Sequence, residues 1–141
     1  MMRAARIAKA GGVVVSEAVT EGIRITVRTT FVPERSNPRE NYFFFAYEVT
    51  LRNEGDEPAQ LLTRHWIITD ARGHIEEVVG DGVVGESPFL NPGDEYSYTS
   101  FCPLRTETGT MHGTYGMVRP DGSQFNARIA PFALIEPYTI N

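Results

Sequence analysis

The sequence predicts an all-β protein built as a two-sheet antiparallel sandwich. Apolar and polar residues alternate at a period of two along almost the whole chain, which places one face of each segment in a core and the other in water. Turn-forming residues punctuate the alternation at intervals of about 8 to 12 residues, the rhythm of short hairpin-connected strands. No window shows sustained helical spacing with capping residues.

The elements follow in order. Met1 to Ala10 carries Arg3, Arg6 and Lys9 and leads into Gly11-Gly12 and three valines, an apolar stretch too short for a secretory signal. Residues 1–18 are therefore expected to be a flexible N-terminal segment with a first short strand. The sandwich itself is expected over 19–136, with a tail at 137–141. Ile23, Ile25, Val27 and Phe31 oppose Arg24, Thr26 and Arg28 as a half-buried strand. Tyr42 to Asn53 sets Phe43, Phe45, Tyr47, Val49 and Leu51 against Glu48, Thr50 and Arg52, and stops at the turn Asn53-Glu54-Gly55-Asp56.

Leu61 to Asp70 is apolar on both faces, which predicts a central strand, and Ile75 to Val79 returns as its hairpin partner after Asp70-Ala71-Arg72-Gly73. Trp66 is expected to fill the inter-sheet core. Arg64 shares its face under strict alternation, so either a bulge displaces Arg64 or it lies near the rim with its guanidinium paired to a carboxylate. Asn91-Pro92-Gly93-Asp94 reads as a type II turn before the alternating Glu95 to Phe101. Thr110 to Arg119 closes at Pro120-Asp121-Gly122, and Phe125, Ala127 and Ile129 mark the last strand. Pro131 interrupts that ladder, so Phe132 and Leu134 resume after a bulge or a switch between sheets. Together these elements predict a sandwich of immunoglobulin or fibronectin type III kind, with Phe45, Tyr47, Trp66 and Tyr115 in its core.

At 141 residues the chain suits one domain with one core, and its 8 Phe and 6 Tyr argue for a packed globule rather than disorder. The formal charge of −5, without a run of Lys or Arg, weighs against a nucleic-acid-binding face. The single cysteine, Cys102, excludes an internal disulfide. No stretch approaches the roughly 18 apolar residues of a membrane span, and a cytoplasmic protein is expected.

Several blocks together carry a family resemblance: Leu61-Leu-Thr-Arg-His-Trp-Ile-Ile-Thr-Asp70, Gly80-Asp-Gly-Val-Val-Gly-Glu86, Leu90-Asn-Pro-Gly93, Tyr96-Ser-Tyr-Thr-Ser-Phe-Cys102 and Gly113-Thr-Tyr-Gly-Met117. In this order, between about Val19 and Leu134, they resemble the bacterial ApaG family. The resemblance implies a fibronectin-type-III-like sandwich in the cytosol. It also implies kinship with interaction modules found in eukaryotic F-box proteins and in a DNA-polymerase-associated factor. The family's gene cluster also encodes a diadenosine tetraphosphate hydrolase, and the family carries a cobalt and magnesium efflux label whose mechanism these residues do not display.

The chemistry-bearing candidates are few. Gly80, Asp81, Gly82, Val83, Val84, Gly85 and Glu86 form a GxGxxG loop, but a dinucleotide fingerprint must open a helix, and Ser87-Pro88 follow instead. A structural loop is favoured over a pyrophosphate-binding nest flanked by two carboxylates. Glu76, Glu77, Asp81 and Glu86 could hold a divalent cation, yet alternation sends Glu76 and Glu77 to opposite faces and favours a solvated acidic surface. His65, His74, His112 and Cys102 lack ligand spacing, and Cys102 sits in the apolar Phe101-Cys-Pro103 as an inert small hydrophobe. Tyr96, Tyr98 and Tyr115 read as core or cross-strand residues.

No cofactor, resident metal or catalytic residue is expected. The favoured function is a small non-enzymatic binding domain whose partner is another protein or a second copy of the chain. The alternatives are binding of a phosphorylated nucleotide or pyrophosphate at Gly80–Gly85 and an indirect role in cobalt or magnesium homeostasis. Within Gly80–Gly93, the apolar Val83, Val84, Phe89 and Leu90 either cap the open end of the core or form an exposed patch for a partner.

Overall fold

A computed structural model describes residues 6–10 and 13–136, so the expected tail 137–141 and residues 1–5 lie outside the described residues. Ten strands follow in order: β1 (Arg6–Ala10), β2 (Val13–Thr20), β3 (Ile23–Phe31), β4 (Phe43–Asn53), β5 (Ala59–Asp70), β6 (Ile75–Asp81), β7 (Phe89–Leu90), β8 (Glu95–Leu104), β9 (Thr108–Val118) and β10 (Gln124–Ile135). They form two antiparallel sheets, β1-β2-β3-β4-β8 and β10-β9-β5-β6, with β7 also on β5. The expected boundary at residue 19 falls inside β2. That strand pairs with β3 from Val13 opposite Thr30 to Thr20 opposite Ile23.

The core lies where the inward faces of the two sheets meet. Ile23, Ile25 and Val27 of β3 and Phe43, Phe45, Tyr47, Val49 and Leu51 of β4 pack against Trp66, Met111, Tyr115, Met117, Phe132 and Leu134 of the other sheet. The Trp66 indole stands edge-on to Tyr47, Tyr115 and Phe132, with ring centroids 5.3, 6.1 and 6.0 Å away. β5 is central, paired to β9 on one side and to β6 and β7 on the other.

Two bulges re-aim side chains. The β9–β10 register shifts between Ile129 and Phe132, across Pro131, which is the bulge expected there. The β5–β9 register shifts between Leu61 and Thr63. Ahead of that shift Ala59 and Leu61 are buried, and beyond it the inward positions are Arg64, Trp66 and Ile68. The bulge therefore carries Arg64 onto the inner face instead of displacing it from there.

The sandwich is closed along one flank and open along the other. On the closed flank the Ser16 hydroxyl donates to the Ala130 carbonyl at 3.1 Å and the Arg128 amide donates to Thr20 Oγ1 at 3.1 Å, joining β2 to β10. On the open flank the sheets end at β8 and at β6, and side chains of both edge strands line one cavity. Pro103, which has no N–H for a ladder, sits in the edge strand β8.

Candidate functional site

The glycine-rich loop is an interruption in one edge line, since β6 and β7 both run antiparallel to β5. On either side of the interruption, the Gly82 amide donates to the Leu62 carbonyl at 2.8 Å and the Leu61 amide to the Pro88 carbonyl at 3.0 Å. Between those anchors Val83 and Glu86 exchange two N–H···O bonds of 2.8 Å. They close a two-residue turn over Val84 and Gly85, with φ of +43° and +81°, the double left-handed signature of a type I′ turn. The amides of Gly82, Val83 and Glu86 are thus committed to protein carbonyls and leave no nest of free donors at those positions for a phosphate.

The loop's apolar residues divide between the two expected roles. Val83 is 1% exposed and Leu90 3%, and both belong to the core, whereas Val84 is 58% and Phe89 50% exposed.

Beside the loop lies a cavity of about 340 Å³ whose walls include Tyr47, Trp66, Ile68, Val78, Val83 and Met111, with Val84 and Phe101 also lining it. Arg64 enters it half-buried. Its Nη1 donates to the carbonyls of Asp81 and Gly82 at 2.8 and 3.0 Å, so its partners are backbone oxygens and not the carboxylate expected from sequence. Among the described residues no carboxylate pairs with this guanidinium, and neither Nε nor Nη2 donates a hydrogen bond. The group packs flat over Gly80, where an added Cβ would lie 2.6 Å from Nη2 and 2.7 Å from Cζ. Glycine permits this close approach, and a side chain at position 80 would displace the guanidinium.

Burial controls the ionisable groups around the cavity. It raises the Tyr98 and Tyr115 phenols well above their usual value, and their hydroxyls hydrogen-bond to each other inside the core. Burial likewise raises the Tyr47 phenol. The Cys102 thiol is pushed up to about 12 by burial, assisted by the negative charge of Glu76, so it is protonated near neutral pH and no thiolate nucleophile.

The other sequence candidates are not brought together. Glu76 and Glu77 occupy successive positions of β6, opposite Ile68 and Ile67, and Glu77 reaches His65 at 3.3 Å on the outer face. Among the described residues no three His, Cys, Asp or Glu side chains gather as a metal-holding group. Asn53 is the polar residue whose role the sequence reading missed. It is fully buried, its Nδ2 donates to the carbonyls of Glu57 and Leu90 at 2.8 and 3.0 Å, and its Oδ1 accepts from the Gly55 amide at 2.9 Å. The signal available was an Asn at an inward position just before a turn glycine.

Comparison with known proteins agrees with this architecture. The ApaG domain model matches residues 33–119. An ApaG protein of Anaeromyxobacter dehalogenans is 60% identical over 126 residues, which cover 89% of this chain and 99% of that one. An ApaG protein of Azotobacter vinelandii is 51% identical over 115 residues, 82% of this chain and 91% of the relative. The crystal structure of a Bordetella pertussis protein described as ApaA superposes with a TM-score of 0.80 at 47% identity, covering 82% of this chain and 94% of that one. With the glycine-rich edge loop inside the matched residues 33–119 and a relative 60% identical over 89% of the chain, the chain belongs to the ApaG family.

Proposed function

We propose that the protein is a non-enzymatic, cytoplasmic binding module of fibronectin type III-like design, whose recognition element is the Gly80–Gly93 side of the open flank. The observation that carries this reading is the division of labour within the loop. Val83 and Leu90 anchor it to the core, while Val84, at the rim of a cavity, and Phe89 hold apolar surface in solvent. A loop held rigidly by buried anchors presents apolar groups with little ordering cost on binding. A protein partner, or a second copy of the chain, suits such a surface better than a nucleotide, since three loop amides are already bonded to the chain and Asp81 and Glu86 repel phosphate. The non-enzymatic reading is further supported by Cys102, which burial keeps protonated. No helix among the described residues is long and apolar enough to cross a membrane.

The test is the double variant Val84→Ser with Phe89→Ser, both at exposed positions. Its melting temperature is expected to stay within a few degrees of wild type. Proteins captured by the immobilised wild type from its native lysate, or self-association in sedimentation, are expected to be lost. Normal melting with unchanged capture and unchanged association refutes the assignment of this surface.

A further inference from the structure

We propose that the cavity beside the glycine loop captures the C-terminal carboxylate of a partner polypeptide whose last side chain is apolar; this rests on the binding-module reading and names what the module recognises. Inside the cavity, Arg64 carries a fixed positive charge that no described carboxylate neutralises. Its Nη1 is spent on the Asp81 and Gly82 carbonyls, which lock the guanidinium in place and leave the Nε and Nη2 donors as one side of the planar fork. That side matches the two oxygens of a carboxylate bidentately.

The remaining walls state what the carboxylate must be attached to. Trp66, Ile68, Val78, Val83 and Met111 supply apolar wall beside the polar Tyr47, Tyr98 and Ser100, and the Tyr98 hydroxyl is already bonded to Tyr115, so a free inorganic anion would leave the apolar part wet. A compact apolar group joined to a carboxylate satisfies both ends. A volume of about 340 Å³ accommodates one large aliphatic side chain together with its carboxylate, not an extended cofactor.

Geometry at the mouth selects a polypeptide as the source. β6 and β8 are the terminal strands of their sheets, and residues of both line the cavity, so an opening that receives a chain end lies between two strand edges with no further strand beside them. An extended peptide can hydrogen-bond to either edge, while Val84 and Phe101, both exposed, contact its preceding residues. The strained φ of Val84 fits the same account, because the residue that best suits that turn, asparagine, would remove apolar surface from the rim.

Trp66 is the sole tryptophan of the chain and lines the cavity, so its fluorescence reports entry directly. The probes are an acetylated pentapeptide ending in leucine with a free carboxylate, the same peptide as its C-terminal amide, and 4-methylpentanoate. The acid peptide is expected to shift Trp66 emission saturably and to bind about tenfold or more tightly than the amide. That preference is expected to vanish in Arg64→Met. It is also expected to vanish in Gly80→Ala, which keeps the arginine but displaces it from its two carbonyls; circular dichroism and melting verify that both variants are folded. Equal affinity for acid and amide, no saturable change at millimolar peptide, or a surviving preference in folded Arg64→Met each overturns the proposal. Binding of 4-methylpentanoate as tight as that of the peptide overturns the polypeptide source. Failure of all three probes while the loop-dependent partner capture persists sinks this inference and leaves the binding-module reading standing.

Discussion

Val84 occupies a backbone conformation that valine disfavours, and replacing it with asparagine is expected to stabilise the fold. At φ +43° a β-branched side chain crowds its own carbonyl, a strain of about 1–2 kcal/mol. Asparagine tolerates this region, and Asn-Gly is the preferred pair for a two-residue type I′ turn. The opposing term is lost burial. A fully buried valine is worth about 1.5–3 kcal/mol, and Val84 is 58% exposed, so asparagine forfeits about 1 kcal/mol at most. The balance favours Val84→Asn by about 0.5–1 kcal/mol, or about 2–4 °C in melting temperature. Urea denaturation followed by Trp66 fluorescence measures it, with an unchanged slope required for the comparison. Val83→Ser supplies the contrast, because Val83 is buried and its hydroxyl replacement is expected to cost about 2 kcal/mol. A lower midpoint for Val84→Asn at unchanged slope refutes the reasoning, since it means that packing of Val84 on the cavity rim outweighs the strain.

Trp66→Ala is expected to cost about 3–5 kcal/mol, a large share of the stability of a small domain, because three aromatic rings lose their common partner; a loss below about 1 kcal/mol in denaturant titration contradicts its place in the core. Asn53→Ala strands two carbonyls and one amide at the mouth of the β4–β5 turn and is expected to cost about 2–3 kcal/mol, a value that thermal unfolding resolves easily. Stability is expected to fall at alkaline pH. The buried Cys102 thiol is raised from 9.0 to about 12, so below pH 9 it is protonated in both the folded and the unfolded chain, and from 9 to 12 only the unfolded chain releases the proton. This favours unfolding by an amount on the order of 4 kcal/mol at pH 12, with Tyr47, Tyr98 and Tyr115 adding in the same direction; Cys102→Ala is expected to flatten the onset between pH 9 and 10, and an identical profile for that variant rejects the assignment.

Alternation made most strands legible, because one face of each is buried and the period of two is strict wherever pairing is regular. The segments Ile23–Phe31 and Phe43–Asn53 are of this kind, and Pro131 announced its own bulge. What stayed hidden has a common physical cause: an irregularity in pairing leaves no residue type that marks it. The bulge at Leu62 contains neither glycine nor proline, so the phase change between Leu61 and Arg64 is invisible until β5 is laid beside β9, although alternation from Trp66 already set Arg64 on the indole's face. The β2 strand was obscured differently, its valines standing too close to Gly11-Gly12 to be separated from a flexible start. At the loop, the glycines were visible but their reason was not. The guanidinium over Gly80 is held by the chain's path through space, sixteen positions after Arg64 in sequence.

The bulge and the glycine loop are two parts of one arrangement. Without the extra residue at Leu62, strict alternation from Ala59 and Leu61 would bring His65 and Ile67 inward in place of Arg64 and Trp66, leaving the core without its indole. Once the phase is shifted, a guanidinium necessarily accompanies the indole two residues earlier on the same face. Burying part of that charge is unfavourable unless donors find acceptors, and the adjacent edge strand supplies them only because it is interrupted there: the turn at Val84-Gly85 lets the carbonyls of Asp81 and Gly82 point at Nη1. Repair of either irregularity alone would therefore be destabilising, the first by removing Trp66 from the core and the second by removing the acceptors of Arg64. Coupling of this kind explains why a loop rich in glycine sits opposite a bulge, and it does so before any ligand is considered.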